Sequence, residues 1–166
     1  EIDPRVIETQ KVLDHAVLFV GAKVRERNQQ LDITMSDDAA ALYADERAIT
    51  QIVTNLVSNA VKFTQVGGKI GIRVRLNADG DFEMCVSDNG PGIPADKLDK
   101  VFKPFSRLDN RYDSPTDGTG LGLALVRGLA QLHGGKAWIE STLGEGTQVY
   151  VVLPMKVQFG ETKRWA

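Results

Sequence analysis

The sequence predicts an α+β fold, a two-layer α/β sandwich in which helices cover one face of a mixed, mainly antiparallel sheet. Three observations lead there. Three segments carry apolar residues at helical spacing, and two pairs of segments alternate apolar with polar residues across short glycine-bearing turns. Consecutive strands joined by hairpins form antiparallel ladders with one buried face, and that face needs a helical layer. The third observation is scale: 166 residues with 42% hydrophobic content and no internal repeat suit a single core. We read 1–155 as the domain and 156–166, which ends in Lys163-Arg164-Trp165-Ala166, as a charged tail or linker.

The elements follow in order. Val6, Val12, Leu13, Ala16, Val17, Val20 and Val24 recur at helical intervals, so 6–27 reads as the first helix, closed by charge and an Asn28-Gln29-Gln30 loop. Segments 31–36 and 39–44 read as short strands around the turn Ser36-Asp37-Asp38. Asp45 is a good N-cap for a second helix running to Phe63, and Gly67-Gly68 breaks the chain after it. Ile70, Ile72, Val74 and Leu76 then alternate with Gly71, Arg73 and Arg75. Across the hairpin signal Asn77-Ala78-Asp79-Gly80, Phe82, Met84 and Val86 repeat the pattern. Residues 96–105 read as a short helix and turn, and 108–118 as a polar loop. A third helix spans 121–133 with its stop at Gly134-Gly135, and strands 136–141 and 147–153 flank the turn Leu143-Gly144-Glu145-Gly146.

Bulk properties narrow the function. A net charge of −2 argues against a nucleic-acid partner, which calls for a basic face. No apolar run approaches the roughly 18–20 residues that span a bilayer. The composition reads as that of a cytoplasmic domain. The chain opens at Glu1-Ile2-Asp3 without an initiator Met, as a fragment cut from a longer protein would. Cys85, the single cysteine, sits within a strand and reads as a small buried hydrophobe.

Chemistry concentrates in three places. Gln51, Asn55, Asn59 and Lys62 share one stripe of the second helix, bordering its apolar face. Carboxamides are poor helix formers for a merely solvated stripe, whereas an amide oxygen is a hard ligand for Mg²⁺ and a lysine can pair with phosphate. The alternative is that both asparagines only bond neighbouring backbone. The first glycine cluster, Asp88-Asn89-Gly90-Pro91-Gly92-Ile93-Pro94, places a carboxylate at a strand end. It could accept a hydrogen bond from an exocyclic amine such as that of adenine, or simply form an Asx turn. The second cluster, Gly118-Thr119-Gly120-Leu121-Gly122-Leu123, feeds a helix whose unpaired N–H groups suit phosphate. It is neither a Walker P-loop, for lack of the Gly-Lys-Ser/Thr ending, nor a dinucleotide fingerprint, because no strand precedes it.

Taken together these segments resemble, in order, the sequence boxes of sensor histidine kinases. Asn55–Phe63 resembles the N box, Asp88–Pro94 the G1 box, Phe102-Lys103-Pro104-Phe105 the F box and Gly118–Leu123 the G2 box, followed by the Gly144-Glu145-Gly146-Thr147 turn. The resemblance runs from about Ile2 to Pro154. It implies the catalytic ATP-binding domain of that family, the Bergerat fold shared with Hsp90, DNA gyrase B and MutL. By resemblance, Asn55 and Asn59 hold Mg²⁺, Lys62 meets phosphate and Phe63 lies near the adenine. Asp88 accepts the adenine amino hydrogen in a pocket shaped by Gly90, Gly92 and Ile93, and Thr147 reaches the base through water. Gly118, Thr119, Gly120, Leu121, Gly122 and Leu123 form a lid over the phosphates of ATP, with Arg107 and Arg111 as candidates to steady the γ-phosphate. Lys103 and Asp117 depart from the usual residues at their positions.

The family's acceptor is a histidine on a separate helical dimerisation domain, through which the parent forms a homodimer, and the phosphoryl group passes on to a response-regulator receiver domain. Many parents are anchored in the inner membrane. His15 and His133 lack an acceptor context and read as structural. Two alternatives stay open at this level: a degenerate or phosphatase-biased module that binds nucleotide or a partner without autophosphorylation, and a serine kinase of the anti-sigma type on the same fold.

Overall fold

The computed structural model describes residues 1–102 and 122–155. Lys103, Phe105, Arg107, Arg111, Asp117, Gly118, Thr119, Gly120 and Leu121 lie outside the described residues, as does the tail with Trp165.

Strand β1 (Pro4–Glu8) runs directly into helix α1 (Thr9–Glu26). Here the sequence expectation fails, because 6–8 are extended rather than helical. Val6 mimics the helical period with Leu13, and no turn residue separates the two elements. What stops the helix is tertiary: the Thr9 N–H donates to the Ala40 carbonyl at 2.9 Å and its hydroxyl to the Ala39 carbonyl at 2.6 Å. Strand β2 (Gln30–Met35), a 3₁₀ turn at Asp37–Ala39 and strand β3 (Ala41–Asp45) follow. The two strands flank the expected turn but do not pair with each other. β3 joins β1 in an antiparallel ribbon, and β2 lies parallel to strand β4 (Lys69–Leu76).

Helix α2 (Glu46–Phe63) begins as expected, the Asp45 carboxylate accepting from the Ala48 N–H at 3.0 Å. β4 and strand β5 (Phe82–Asp88) form the expected hairpin. A 3₁₀ segment (Ala95–Lys100) precedes the undescribed stretch, and helix α3 (Gly122–Leu132) follows it. Strands β6 (Lys136–Thr142) and β7 (Gly146–Leu153) complete a five-stranded sheet ordered β2-β4-β5-β7-β6, antiparallel except for β2 and β4. The fold class is the one the sequence predicts.

The alternation of β4 and β5 sorts the two faces. Ile70, Ile72, Val74, Phe82, Met84 and Val86 enter one core with Leu13, Ile52, Leu56 and Val126 from the three helices. Truncating such a side chain to alanine costs about 2–5 kcal/mol. On the opposite face the register aligns Arg73, Cys85, Tyr150 and Trp138 in a row. Trp138 and Tyr150 stack there with centroids 4.9 Å apart. Cys85, within this row, is buried, and burial pushes its thiol pKa up, away from reactivity.

Candidate functional site

The site forms where α2, the end of β5, the start of α3 and the β6–β7 turn converge. The buried stripe of α2, including Ile52, Val53, Leu56 and Val57, fixes the helix against the sheet. That orientation leaves Asn55, Asn59 and Lys62 on its half-exposed border, as the stripe argument expects. Asn59 lines a cavity beside α2, while Asn55 and Lys62 lie outside its wall, one helical turn before and nearly one turn after. The Lys62 ammonium rests over the Phe63 ring, 5.5 Å from its centroid. α3 starts against the same helix: a methyl group added at Gly122 would stand 3.5 Å from Asn59 Nδ2. The first described residue of α3 therefore lies next to Asn59.

Asp88 forms the Asx turn and also borders the cavity. Its Oδ1 accepts from the Gly90 N–H at 2.8 Å, an Asx turn, and the same side chain lines the cavity. Burial pushes the Asp88 carboxyl above its ordinary range, partly opposed by the backbone N–H groups of Gly90 and Thr147. Asn89 locks the turn to β4, its N–H donating to the Lys69 carbonyl at 3.2 Å and its Oδ1 accepting from the Lys69 N–H at 2.7 Å. Gly92 has φ +75°, and a Cβ there would lie 2.2 Å from the Thr142 carbonyl oxygen. Only glycine serves both the left-handed backbone and that approach.

Ser141 is a site residue that sequence reasoning missed. Its hydroxyl accepts from the Ile93 N–H at 2.8 Å and donates to the Gly146 carbonyl at 2.8 Å, and Thr147 Oγ1 lies 2.8 Å away. A serine has one proton to give. With that proton on Gly146, Thr147 must donate to Ser141, and its own oxygen remains an acceptor. A serine on an alternating strand carries no signal of such a role.

The cavity holds about 100 Å³. Leu56, Ala60, Phe63, Val86, Pro91, Gly92, Ile93, Leu123, Ile139 and Val149 line it, with Asp88 and Thr147 among them. The apolar members beyond Phe63, Ile93 and Leu123 were legible only as core. An apolar slot with one carboxylate and one hydroxyl acceptor suits a flat heteroaromatic ring that carries an exocyclic amine. Gly90 stands just behind it, where a Cβ would meet Asp88 Oδ1 at 2.9 Å and the Phe63 carbonyl oxygen at 3.1 Å.

For a divalent cation the donor set is spare. Among the described residues no group of three or more His, Cys, Asp or Glu side chains could hold a metal. The carboxamide oxygen of Asn59, at the cavity edge, is of a type that suits Mg²⁺, an ion that keeps several waters and often takes further ligands from phosphates. His133 is structural: its Nε2 accepts from the Asp45 N–H at 3.0 Å and its Nδ1 lies 2.8 Å from the Leu129 carbonyl, tying α3 to the cap of α2. His15 projects from the exposed face of α1.

A family model described as histidine kinase-, DNA gyrase B-, and HSP90-like ATPase matches residues 44–157. An uncharacterized sensor-like histidine kinase of Rhizobium meliloti is 42% identical over 132 residues, 80% of this chain and 25% of its own length. The histidine protein kinase DivJ of Caulobacter vibrioides is 38% identical over 155 residues, 93% of this chain and 26% of its own. The chain thus spans about a quarter of either relative. Among solved structures, the catalytic domain of histidine kinase ThkA, in a nucleotide-free form, superposes with TM-score 0.80 at 27% identity, covering 93% of this chain and 99% of that one. Full-length ShkA in complex with AMPPNP gives TM-score 0.80 at 27% identity over 93% of this chain and 31% of its own. ThkA has also been solved with the response regulator protein TrrA, at TM-score 0.74 and 25% identity over 92% of this chain and 42% of that one.

Proposed function

Since the chain belongs to the histidine kinase-, DNA gyrase B- and HSP90-like ATPase family, we propose that it is the ATP-binding catalytic domain of a two-component sensor histidine kinase, which transfers the γ-phosphoryl group of ATP to a histidine on a helical dimerisation domain. The observation that carries this reading is the apolar cavity with the Asp88 carboxylate in its wall and Asn59 at its edge. The adenine ring enters between Phe63 and Ile93, and its amino group donates to Asp88. Thr147 Oγ1, committed as an acceptor, orders a water against the base. The triphosphate runs past Asn59 towards the start of α3, where unpaired N–H groups meet negative charge.

Asn55 and Asn59 would hold Mg²⁺, which neutralises charge on the transferring phosphoryl group when bound. Lys62 adds a positive charge beside it. Nothing in this arrangement supplies a covalent intermediate. The protein positions the donor and excludes water, and these contributions dominate phosphoryl transfer. Arg107 and the segment Gly118–Leu123 complete the reading as γ-phosphate contact and cover. The partners are the helical phosphoacceptor domain, which also dimerises the parent protein, and the receiver domain of a response regulator.

Radiolabelled ATP supplied to this chain together with a histidine-bearing phosphoacceptor domain tests the proposal. Acid-labile, base-stable label on that domain is the expected result. ATP binding without label would support a module that only binds, and acid-stable label on serine would move the chain to another branch of the family.

A further inference from the structure

Helix α2 ends without the glycine that usually closes a helix. Its C-cap, Thr64, is extended, with φ −85° and ψ 138°, so the last carbonyls of the helix find no partners from a left-handed turn. They are served from another part of the chain. Gln29 Nε2 donates to the Val61 carbonyl at 2.9 Å and to the Thr64 carbonyl at 2.9 Å, and an Arg27 Nη donates to the Thr64 carbonyl at 2.7 Å. Both partners of Gln29 are carbonyl oxygens, so the amide orientation is fixed: turning it over would oppose oxygen to oxygen. Gln29 is buried, and Thr64 has no exposed surface.

The capped segment also reaches the cavity. Phe63 forms its wall, and the Phe63 carbonyl and Thr64 Cα stand 3.1 and 3.5 Å from where a Cβ of Gly90 would lie. Gly90 in turn donates its N–H to Asp88. A chain of hydrogen bonds and close neighbours thus runs from Arg27 and Gln29 through the α2 terminus to the Asp88 turn. We propose that Arg27 and Gln29 are positioning residues of the base pocket, holding Phe63 and the Phe63–Thr64 backbone at the spacing the ring requires. The inference rests on the adenine reading given above, and its test separates the two.

Gln29→Met keeps the length and volume of the side chain and removes both donors. Arg27→Lys keeps the charge and one donor at a half-exposed position. Val20→Ala, in the buried stripe of α1, is the control for stability alone. The full chain carrying each change is titrated with adenosine and with ADP, with and without Mg²⁺, at a temperature where melting curves show it folded. Gln29→Met is expected to weaken adenosine and ADP by the same factor, on the order of tenfold, with the gain from Mg²⁺ unchanged. Arg27→Lys should lose less than Gln29→Met, and Val20→Ala should bind like the parent despite a lower melting temperature. Should Gln29→Met fail to fold, Arg27→Met replaces it against its own lysine rescue. Unchanged adenosine affinity in the donor-deleted variant, or an equal loss in Val20→Ala, overturns the proposal. Absence of adenosine and ADP binding in the parent chain overturns the adenine reading instead.

Discussion

Replacing Asp88 by asparagine should change ligand affinity and stability in opposite directions. The carboxylate has two tasks that asparagine cannot both perform: it accepts from the Gly90 N–H at 2.8 Å, and it faces the cavity with acceptor oxygen. Asparagine has a single oxygen. If that oxygen keeps the turn, an NH₂ group faces the adenine amine, donor against donor. The loss is one charge-assisted hydrogen bond, about 1.5–3 kcal/mol, or roughly 10- to 150-fold in the Kd for ADP. Stability responds the other way. Burial raises the pKa of this carboxyl, so the folded chain holds its proton more tightly than the unfolded chain does. That advantage is complete below the unfolded pKa of about 3.9 and is lost as pH rises through the folded value. An asparagine has no charge to desolvate and loses nothing over the same window. Asp88→Asn should therefore melt higher than the parent at pH 8, with the difference shrinking as pH falls towards 4. Calorimetric titration with ADP and melting curves at several pH values check both halves. Undiminished ADP affinity, or a lower melting temperature at pH 8, would refute the reasoning.

Asn59→Ala should leave adenosine binding near the parent value and remove most of the Mg²⁺-dependent gain for ATP, read by titration with and without the metal. His133→Phe removes the ring partner of the part-buried Asp45 N–H and Leu129 carbonyl and should cost about 1 kcal/mol in urea unfolding. Gly67 and Gly92 both have positive φ, yet a Cβ at Gly67 meets nothing within 4 Å. Gly67→Ala should thus lose only the conformational term, about 1–2 kcal/mol. Gly92→Ala should lose clearly more and disturb ADP binding as well; equal losses in a paired unfolding experiment would show that the Thr142 approach costs nothing.

The elements most legible in the sequence were those whose burial has one side. β4 and β5 declared themselves because Ile70, Ile72 and Val74 face the helices while Arg73 and Arg75 face outward. The N-cap at Asp45 and the Asn stripe were legible for the same reason, since each depends on neighbours three or four positions away. β1 was not, because its ladder with β3 and the bonds from Thr9 to Ala39 and Ala40 hold it extended, and all of these partners lie some thirty or more residues away. The partners of β2 and β3 were equally hidden, since a turn at Ser36–Asp38 says nothing about which distant strand completes a ladder. In the site, Asp88 and Gly92 were readable from local turn chemistry. Gln29 acts through bonds to Val61 and Thr64 and Ser141 through its bond from Ile93, all far along the chain, and a lone serine or glutamine carries no local trace of that.

The pairing of β5 with β7 sets Asp88 directly opposite Thr147, although 58 residues separate them in sequence. Closing a loop costs little more as the loop grows, about 0.6 kcal/mol for each doubling of its length. A slip of one position in the ladder, by contrast, turns every side chain of β7 to the other face. The two polar anchors of the pocket are therefore indifferent to how much chain separates them and intolerant of any change in alignment. A single residue added within β7 would remove the pocket while leaving the composition of the domain almost untouched.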